Sequence, residues 1–456
     1  MTLTSSRTRA GLLAAVFLGS FMALLDVSVV SVALPTMQRT LGASFSGLQW
    51  IVDGYTVALT AVILTGGTLG DRYGRKRGYL TGLTVFTIAS VGCALAPTLE
   101  WLVAARVVQG FAASAVIPGA VALLAHAYPE PGARAKVMGL WGTVAGCALV
   151  LGPLLGGPLT DAFGWPAIFL VNVPIGLVAV LTGRRGITES RDPAHGALDL
   201  TGQVLGALWI GLLTFAVIEA GRTGFDTLTV TTGVLGFAAL AAFIVVELRV
   251  PHPMLPVRLF AGTRFSVAIF AAWSLGFAAY PAVFLIGVYL QQARGATATE
   301  AGVQMLPYVL ANVVAAFAAG RLSARFGAHR LLPVSYFVAS VGSFAFLVLE
   351  ADSPYWVVAV AFAVAGAGVG LSITPSNIVG LAGLPGHRSG IASATVNAAR
   401  QTGTALGVAA LGALLARGST LPAGLHLAMG VAGIVLLAVT VLTAATLGGA
   451  GRRTAD

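Results

Sequence analysis

Two carboxylates and two guanidinium groups stand where an apolar chain has least reason to keep charge. Asp26 lies in "FMALLDVSVVSVALP", Asp53 in "WIVDGYTVALT", Arg106 in "WLVAARVVQGF" and Arg400 in "VNAARQTGTALG". A carboxylate held in a low-dielectric interior resists ionisation, and a nearby guanidinium restores it. An Asp and an Arg so placed can be tuned to gain and lose a proton near neutral pH. Ionisable groups inside membranes are costly and usually mark ion or substrate pathways. The competing roles are a structural ion pair, or side chains that snorkel to the nearby outer interface. Arg400 has no carboxylate at its depth in its own half, so it binds a carbonyl or water, or carries substrate specificity.

The elements that must position these residues are membrane helices. Only 9% of the 456 residues are charged and 57% are hydrophobic, against roughly 25% charged in a soluble domain. Apolar stretches close to the ~20 residues that a spanning helix needs recur from residue 11 to residue 447. They are continuous, which excludes the short alternating strands of a β-barrel. The expected spans begin with 11–34, 48–69, 79–97, 101–125, 135–159, 165–183 and 200–219. They continue with 227–247, 266–290, 301–320, 331–350, 354–382, 389–416 and 425–447. At 1.5 Å per residue, Asp26 lies roughly 22 Å into a span that starts inside, and Asp53 and Arg106 each roughly 8 Å into spans that start outside. All three reach a similar depth in a core about 30 Å thick, so they can meet.

Threading fourteen spans alternately from a cytoplasmic N-terminus leaves Arg39, Arg222, Arg294 and Arg417 outside, Arg106 and Arg400 within the membrane, and every other Lys and Arg inside. This is the positive-inside bias. It places both termini in the cytoplasm and explains the net charge of +10 without a nucleic-acid partner. The first apolar run follows Arg7 and Arg9 as a signal peptide would, yet it is too long, carries Asp26 and lacks a small-residue cleavage site. Cys93 and Cys147 fall inside spans and read as packing residues. No GxSxG, HExxH, metal-ligand cluster or P-loop is present; "GAGVG" at Gly366 lacks the strand and lysine of a phosphate cradle. An enzyme is not expected, and neither is a cofactor or metal.

Two echoes divide the chain. "GTLGDRYGRKR" from Gly67 returns as "GRLSARFGAHR" from Gly320, aligning Arg72 with Arg325, Gly74 with Gly327 and Arg77 with Arg330. "QGFAASAVIPG" from Gln109 returns as "GAGVGLSITPS" from Gly366, aligning Pro118 with Pro375. Parallel repeats of about six helices are a transporter architecture. The expected organisation is an N-terminal six-helix bundle at 1–187, a linker with two extra spans at 188–264, and a C-terminal six-helix bundle with a short tail at 265–456. In "GCALVLGPLLGGPL", Ala148, Gly152 and Gly156 share one helix face, where small residues let backbones approach, while Pro153 and Pro158 remove backbone donors. Tyr55, Gln109, Asn312, Asn397 and Arg400 are candidates to line a mixed apolar cavity, and Asn172, Asn377 and Trp273 share that character.

These stretches carry a family likeness. "GTLGDRYGRKR" resembles the loop signature after the second helix of major facilitator superfamily transporters, and "RVVQGFAASAVIPG" is similar to their fourth-helix motif. "LGPLLGGP" resembles the fifth-helix motif of the antiporters, whose residues here are Gly152, Pro153, Gly156 and Gly157. "LDVSVVSVALP" and "WIVDGYTVAL" are similar to the first two helices of the fourteen-helix drug:proton antiporter branch. Ala148 stands where the antiporter motif commonly has glycine. The resemblance implies an all-α fold of two six-helix bundles with two additional central helices. It further implies a cytoplasmic latch of Gly67, Asp71, Arg72, Gly74, Arg75, Lys76 and Arg77, with Asp71 at the positive N-terminal end of a helix of the other half, here the one starting near Ser389. Ala324 replaces the aspartate in the second copy. The function expected is proton-driven export of an amphipathic drug, antibiotic or secondary metabolite across the cytoplasmic membrane, with Asp26, Arg106 and Asp53 coupling protons to substrate and the protein working as a monomer. The alternative on the same scaffold is import of a small nutrient.

Overall fold

Lipid offers no partners to backbone N–H and C=O groups, so an apolar run must satisfy them internally as a helix. Every expected span does so in the computed structural model, which describes residues 6–191, 199–251, 253–255, 257–381 and 389–447. The helices are α1 (Ser6–Leu41), α2 (Phe45–Tyr73), α3 (Arg75–Ala94), α4 (Leu99–Ala127), α5 (Pro131–Phe163) and α6 (Ala167–Gly186, interrupted at Val171). Two further helices follow, α7 (Leu200–Thr223) and α8 (Thr227–Arg249). Then come α9 (Thr263–Val288), α10 (Ala298–Phe326, interrupted at Met305), α11 (Ala328–Ala345), α12 (Tyr355–Leu381), α13 (Ser389–Arg417) and α14 (Leu421–Leu447). Among the described residues, eleven of these helices are long and apolar enough to cross a membrane. The other three, α2, α3 and α13, run for 29, 20 and 29 residues.

The helix ends follow from local sequence. Ser44 caps α2 by accepting the Gly47 N–H at 3.2 Å, and Thr98 caps α4 by accepting that of Trp101 at 3.3 Å. Glu130 accepts from Gly132 and Ala133 at the start of α5, and Asp226 from Thr229 at the start of α8. These backbone N–H groups hold the Glu130 and Asp226 carboxyls below the ordinary carboxylate range. Large apolar side chains such as Val234, Phe237, Val314 and Val441 are more than half exposed. Water would penalise such faces, whereas lipid accepts them.

The chain forms two compact units. One comprises residues 1–203 with Thr297–Gly302; the other comprises Val204–Ala296 and 303–456. In the first, α4 lies against α2 and α3, and α1 against α5 and α6. Small residues make these approaches close: a Cβ added at Gly156 would stand 2.7–2.8 Å from Val32 and Val29 of α1. In the second, α12 lies against α10 and α11, α13 against α9, and α14 against α11. From Val204 onward the two additional helices belong to this second unit. Arg417 Nη2 of α13 donates to the Ala220 carbonyl of α7 at 2.7 Å, and a Cβ at Gly221 would meet Ala413.

Gly110 offers a direct test of the α2–α4 contact, because its missing side chain faces the Tyr55 carbonyl and Ala58. Gly110→Val should destabilise the protein by about 1–3 kcal/mol through overpacking. Thermal unfolding of the purified protein measures this; an unchanged melting temperature would show slack between the two helices.

Candidate functional site

Asp26, Arg106 and their neighbours form one enclosed polar network in the first unit. Asp26 on α1 and Arg106 on α4 are 0% and 1% exposed, and Arg106 Nη1 donates to Asp26 Oδ2 in an ion pair. The other carboxylate oxygen accepts from Asn172 Nδ2 of α6 at 2.9 Å and from Gln109 Nε2 of α4 at 3.3 Å. Arg106 Nε donates to the Ile51 carbonyl of α2 at 3.1 Å, and Nη1 also reaches Gln109 Oε1 at 2.9 Å. Ser90 Oγ of α3 accepts from Gln109 at 2.8 Å and from Asn172 at 3.3 Å. The guanidinium lies over the Tyr55 ring, 4.5 Å from its centroid, and near the Phe169 ring at 5.9 Å. Five helices therefore supply one ion pair with partners for both charges.

The helical spacing accounts for this convergence. Arg106 and Gln109 are three residues apart, and so share one face of α4. The break at Val171 starts the longer piece of α6 at Asn172, which brings its amide to the carboxylate. Cys93 on α3 completes the wall, its thiol donating to Gln109 Oε1 at 3.2 Å. Such networks rigidify a site when every member is satisfied. Removing one partner leaves a buried charge uncompensated, which costs several kcal/mol.

Expectation and placement differ at several positions. Asp53 is fully buried on α2, but neither carboxylate oxygen has a hydrogen-bond partner among the described residues. It does not join the Asp26–Arg106 pair. Gln109 and Tyr55, expected to line a substrate cavity, are 0% and 2% exposed and are held inside the charge network instead. Asn172, singled out only as a polar residue in an apolar stretch, is a direct partner of the carboxylate. Cys93 is buried as a packing residue should be, but Cys147 is exposed on α5. Asn312 and Asn397 are partly exposed on α10 and α13, and Arg400 Nη2 donates to Asn397 Oδ1.

The fifth-helix stretch divides its small residues between two neighbours. Cβ atoms at Gly152 and Gly156 would overlap Ser28, Val29 and Val32 of α1, while Gly157 abuts Ala298 and Thr299. Ser28 Oγ donates to the Ala148 carbonyl at 3.2 Å. Beyond the stretch, Asp161 Oδ2 accepts from both the N–H and the hydroxyl of Thr299, at 2.8 and 2.6 Å. The carboxylate thus meets a free N–H of the first turn of α10, where the helix end is positive.

At the turn between α2 and α3 the basic residues find partners within their own unit. Gly74 has φ +120°, a conformation that disfavours any side chain, and a Cβ there would meet the Glu189 carboxylate at 2.8 Å. Glu189 accepts from the backbone N–H groups of Lys76 at 3.0 Å and Arg77 at 3.3 Å, so it caps α3 from beyond the end of α6. Arg75 N donates to the Ser190 carbonyl, and Lys76 Nζ to that of Arg184 at the carbonyl end of α6. Glu189 falls in the linker expected at 188–264, and nothing in its neighbours points to a cap more than a hundred residues away. Arg72 stacks beside Tyr73. The side chains of Gly67, Asp71 and Ser389 lie outside the described residues, and with them the expected contact of Asp71 with the helix starting near Ser389.

A buried ion pair held among membrane-length helices, flanked by glycine-seamed helix contacts, defines a multi-pass membrane transporter. The chain belongs to the Major Facilitator Superfamily, which matches residues 16–408 and 268–453. Among its relatives, a methylenomycin A resistance protein of Streptomyces coelicolor is 38% identical over 401 residues, covering 87% of this chain and 84% of that protein. Multidrug resistance protein Stp of Mycobacterium tuberculosis is 35% identical over 413 residues, covering 90% and 76%. A crystal structure of the peptide transporter POT in complex with sulfate shares the fold, with a TM-score of 0.71, 17% identity and coverage of 97% and 95%.

Glu189→Ala should leave two N–H groups of α3 without their acceptor and cost about 1 kcal/mol. A melting temperature lowered in Glu189→Ala and partly restored in Glu189→Gln checks the capping role; equal values in all three proteins would exclude it.

Proposed function

We propose that the protein is a proton-coupled antiporter that exports amphipathic drugs, antibiotics or secondary metabolites. The observation that carries this reading is the Asp26–Arg106 ion pair, buried and hydrogen-bonded by Asn172, Gln109 and the Ile51 carbonyl, with Ser90 holding the two amides. The names of the relatives, which refer to drug resistance, support the direction of transport.

The coupling follows from electrostatics. An ionised Asp26 holds the guanidinium through opposite charge in a medium of low dielectric. Protonation of the carboxylate removes that attraction and leaves Arg106 with the Ile51 carbonyl, Gln109 and the Tyr55 ring. α1 and α4 lose their strongest tie, and the balance between two arrangements of the transporter shifts by the difference in proton affinity between them. Antiport requires that the exported substrate favour the arrangement that the proton disfavours. In this reading protons enter from outside, substrate leaves the cytoplasm, both termini face the cytoplasm, and the inward proton gradient across the cytoplasmic membrane is the energy source without any cofactor. The working unit is a monomer. Asp53, buried without a partner on α2, is a second position at which a proton would relieve an unpaired charge.

Asp26→Asn keeps the shape of the side chain and its neutral hydrogen-bonding capacity but cannot titrate. In everted membrane vesicles it should lose at least tenfold in transport of a fluorescent dye driven by a pH gradient, while expression and membrane insertion persist. Undiminished gradient-driven transport in this variant would remove Asp26 from the coupling role.

A further inference from the structure

The charge balance of the second unit is unlike that of the first. Arg400 lies about 16 Å along α13 from Ser389 and about 26 Å from Arg417, so it sits well within a span. Its guanidinium donates to Asn397 Oδ1, a neutral acceptor on the same helix face. No carboxylate pairs with it among the described residues. Every described acid of the second unit is engaged or placed elsewhere: Glu219 pairs with Arg222 at the far end of α7, and Asp226 caps α8. Glu247 accepts the Leu255 N–H at the end of α8, and Glu350 and Asp352 lie in the turn between α11 and α12. Arg106 in the first unit, by contrast, has Asp26.

The backbone around Arg400 is rigid. Its carbonyl is pressed against Gly276 of α9, and it accepts the Thr404 hydroxyl at 3.0 Å. One turn later, Gly403 is pressed against the Trp273 carbonyl. The side chain is partly exposed. A cation at this depth, with an amide oxygen as its one hydrogen-bond acceptor among the described residues, has further N–H donors to offer a ligand. Its fork of five N–H groups matches a carboxylate in two-point geometry.

We propose that Arg400 is a binding site for the acidic group of the substrate, and that the protein prefers amphipathic molecules bearing a single carboxylate to their neutral counterparts. This rests on the transport reading above and narrows its substrate class. Arg400 supplies the charge and Asn397 orients the guanidinium. A singly anionic substrate leaves the site electrically neutral, whereas a cationic one would place two positive charges together in a low-dielectric interior.

The experiment uses purified full-length protein in lipid nanodiscs. The probes are 1-naphthaleneacetate, salicylate and decanoate, each paired with its neutral amide, and dissociation constants are measured by calorimetry at pH 7. Wild type should bind the acids at least tenfold more tightly than the amides, as a charge-assisted bidentate contact implies. Arg400→Gln should abolish that preference without weakening the amides, and Arg400→Lys should restore part of it. Equal affinity for acid and amide in wild type, no binding of either, or a preference that survives in Arg400→Gln would each overturn the proposal. Gradient-driven transport of a neutral dye, assayed in parallel, separates this from the coupling mechanism. In wild type, absence of any acid preference with dye transport intact rejects only the substrate class, and acid preference without any gradient-driven transport rejects only the antiport reading.

Discussion

Everything in the first unit is arranged around one ion pair that could not stand alone. Asp26 and Arg106 are enclosed at a depth where a single charge would be prohibitively expensive, and their mutual attraction offsets the desolvation only because further hydrogen bonds satisfy the remaining lone pairs and donors. This explains why α1, α2, α3, α4 and α6 all contribute to one point. It also explains why the walls are drawn so close by glycine and alanine: each ångström of separation would admit water or leave a donor without a partner. The polar network and the small-residue seams are two aspects of the same requirement.

That requirement also makes the site sensitive. A pair whose favourable energy depends on both partners being charged loses most of that energy when one is neutralised. The surrounding amides and hydroxyl remain, but they are weaker and less directional in their demands. A fold built from close helix contacts has few intermediate arrangements, because interdigitated surfaces tend to be bistable rather than continuously deformable. A single proton can therefore have consequences far larger than its own size. The two units differ in this respect: the first carries a balanced pair, while the second carries Arg400 with an amide for company.

The comparisons bear on how such a scaffold is reused. The fold is shared with peptide transporters at 17% identity, a level at which individual contacts need not persist. The relatives named for drug resistance retain twice that identity over most of their length. At 17% identity the helical fold is what this chain and the peptide transporter share, and the side-chain contacts are those of this chain alone. Asp53 illustrates the distinction: its depth suggested membership of the charge network, yet its carboxylate has no hydrogen-bond partner among the described residues.

The sequence by itself determined the helices. Long uninterrupted apolar runs can satisfy their backbone in lipid in only one way, so the fourteen spans and the small-residue faces of α5 were legible from residue types and spacing, whereas the caps at Ser44, Thr98 and Asp226 emerged only with the fold. The depth of Asp26 and Arg106 was legible for the same reason, since helical rise converts residue number into distance. Tertiary structure alone decided which side chains meet. Asn172 reaches Asp26 because α6 breaks one residue earlier, Gln109 turns into the network instead of toward a cavity, and Glu189 caps a helix more than a hundred residues before it. Periodicity fixes the face on which a residue lies and its height along the axis, but the rotation and tilt of one helix against another depend on the summed fit of all the surfaces between them. No local pattern of residues contains that sum.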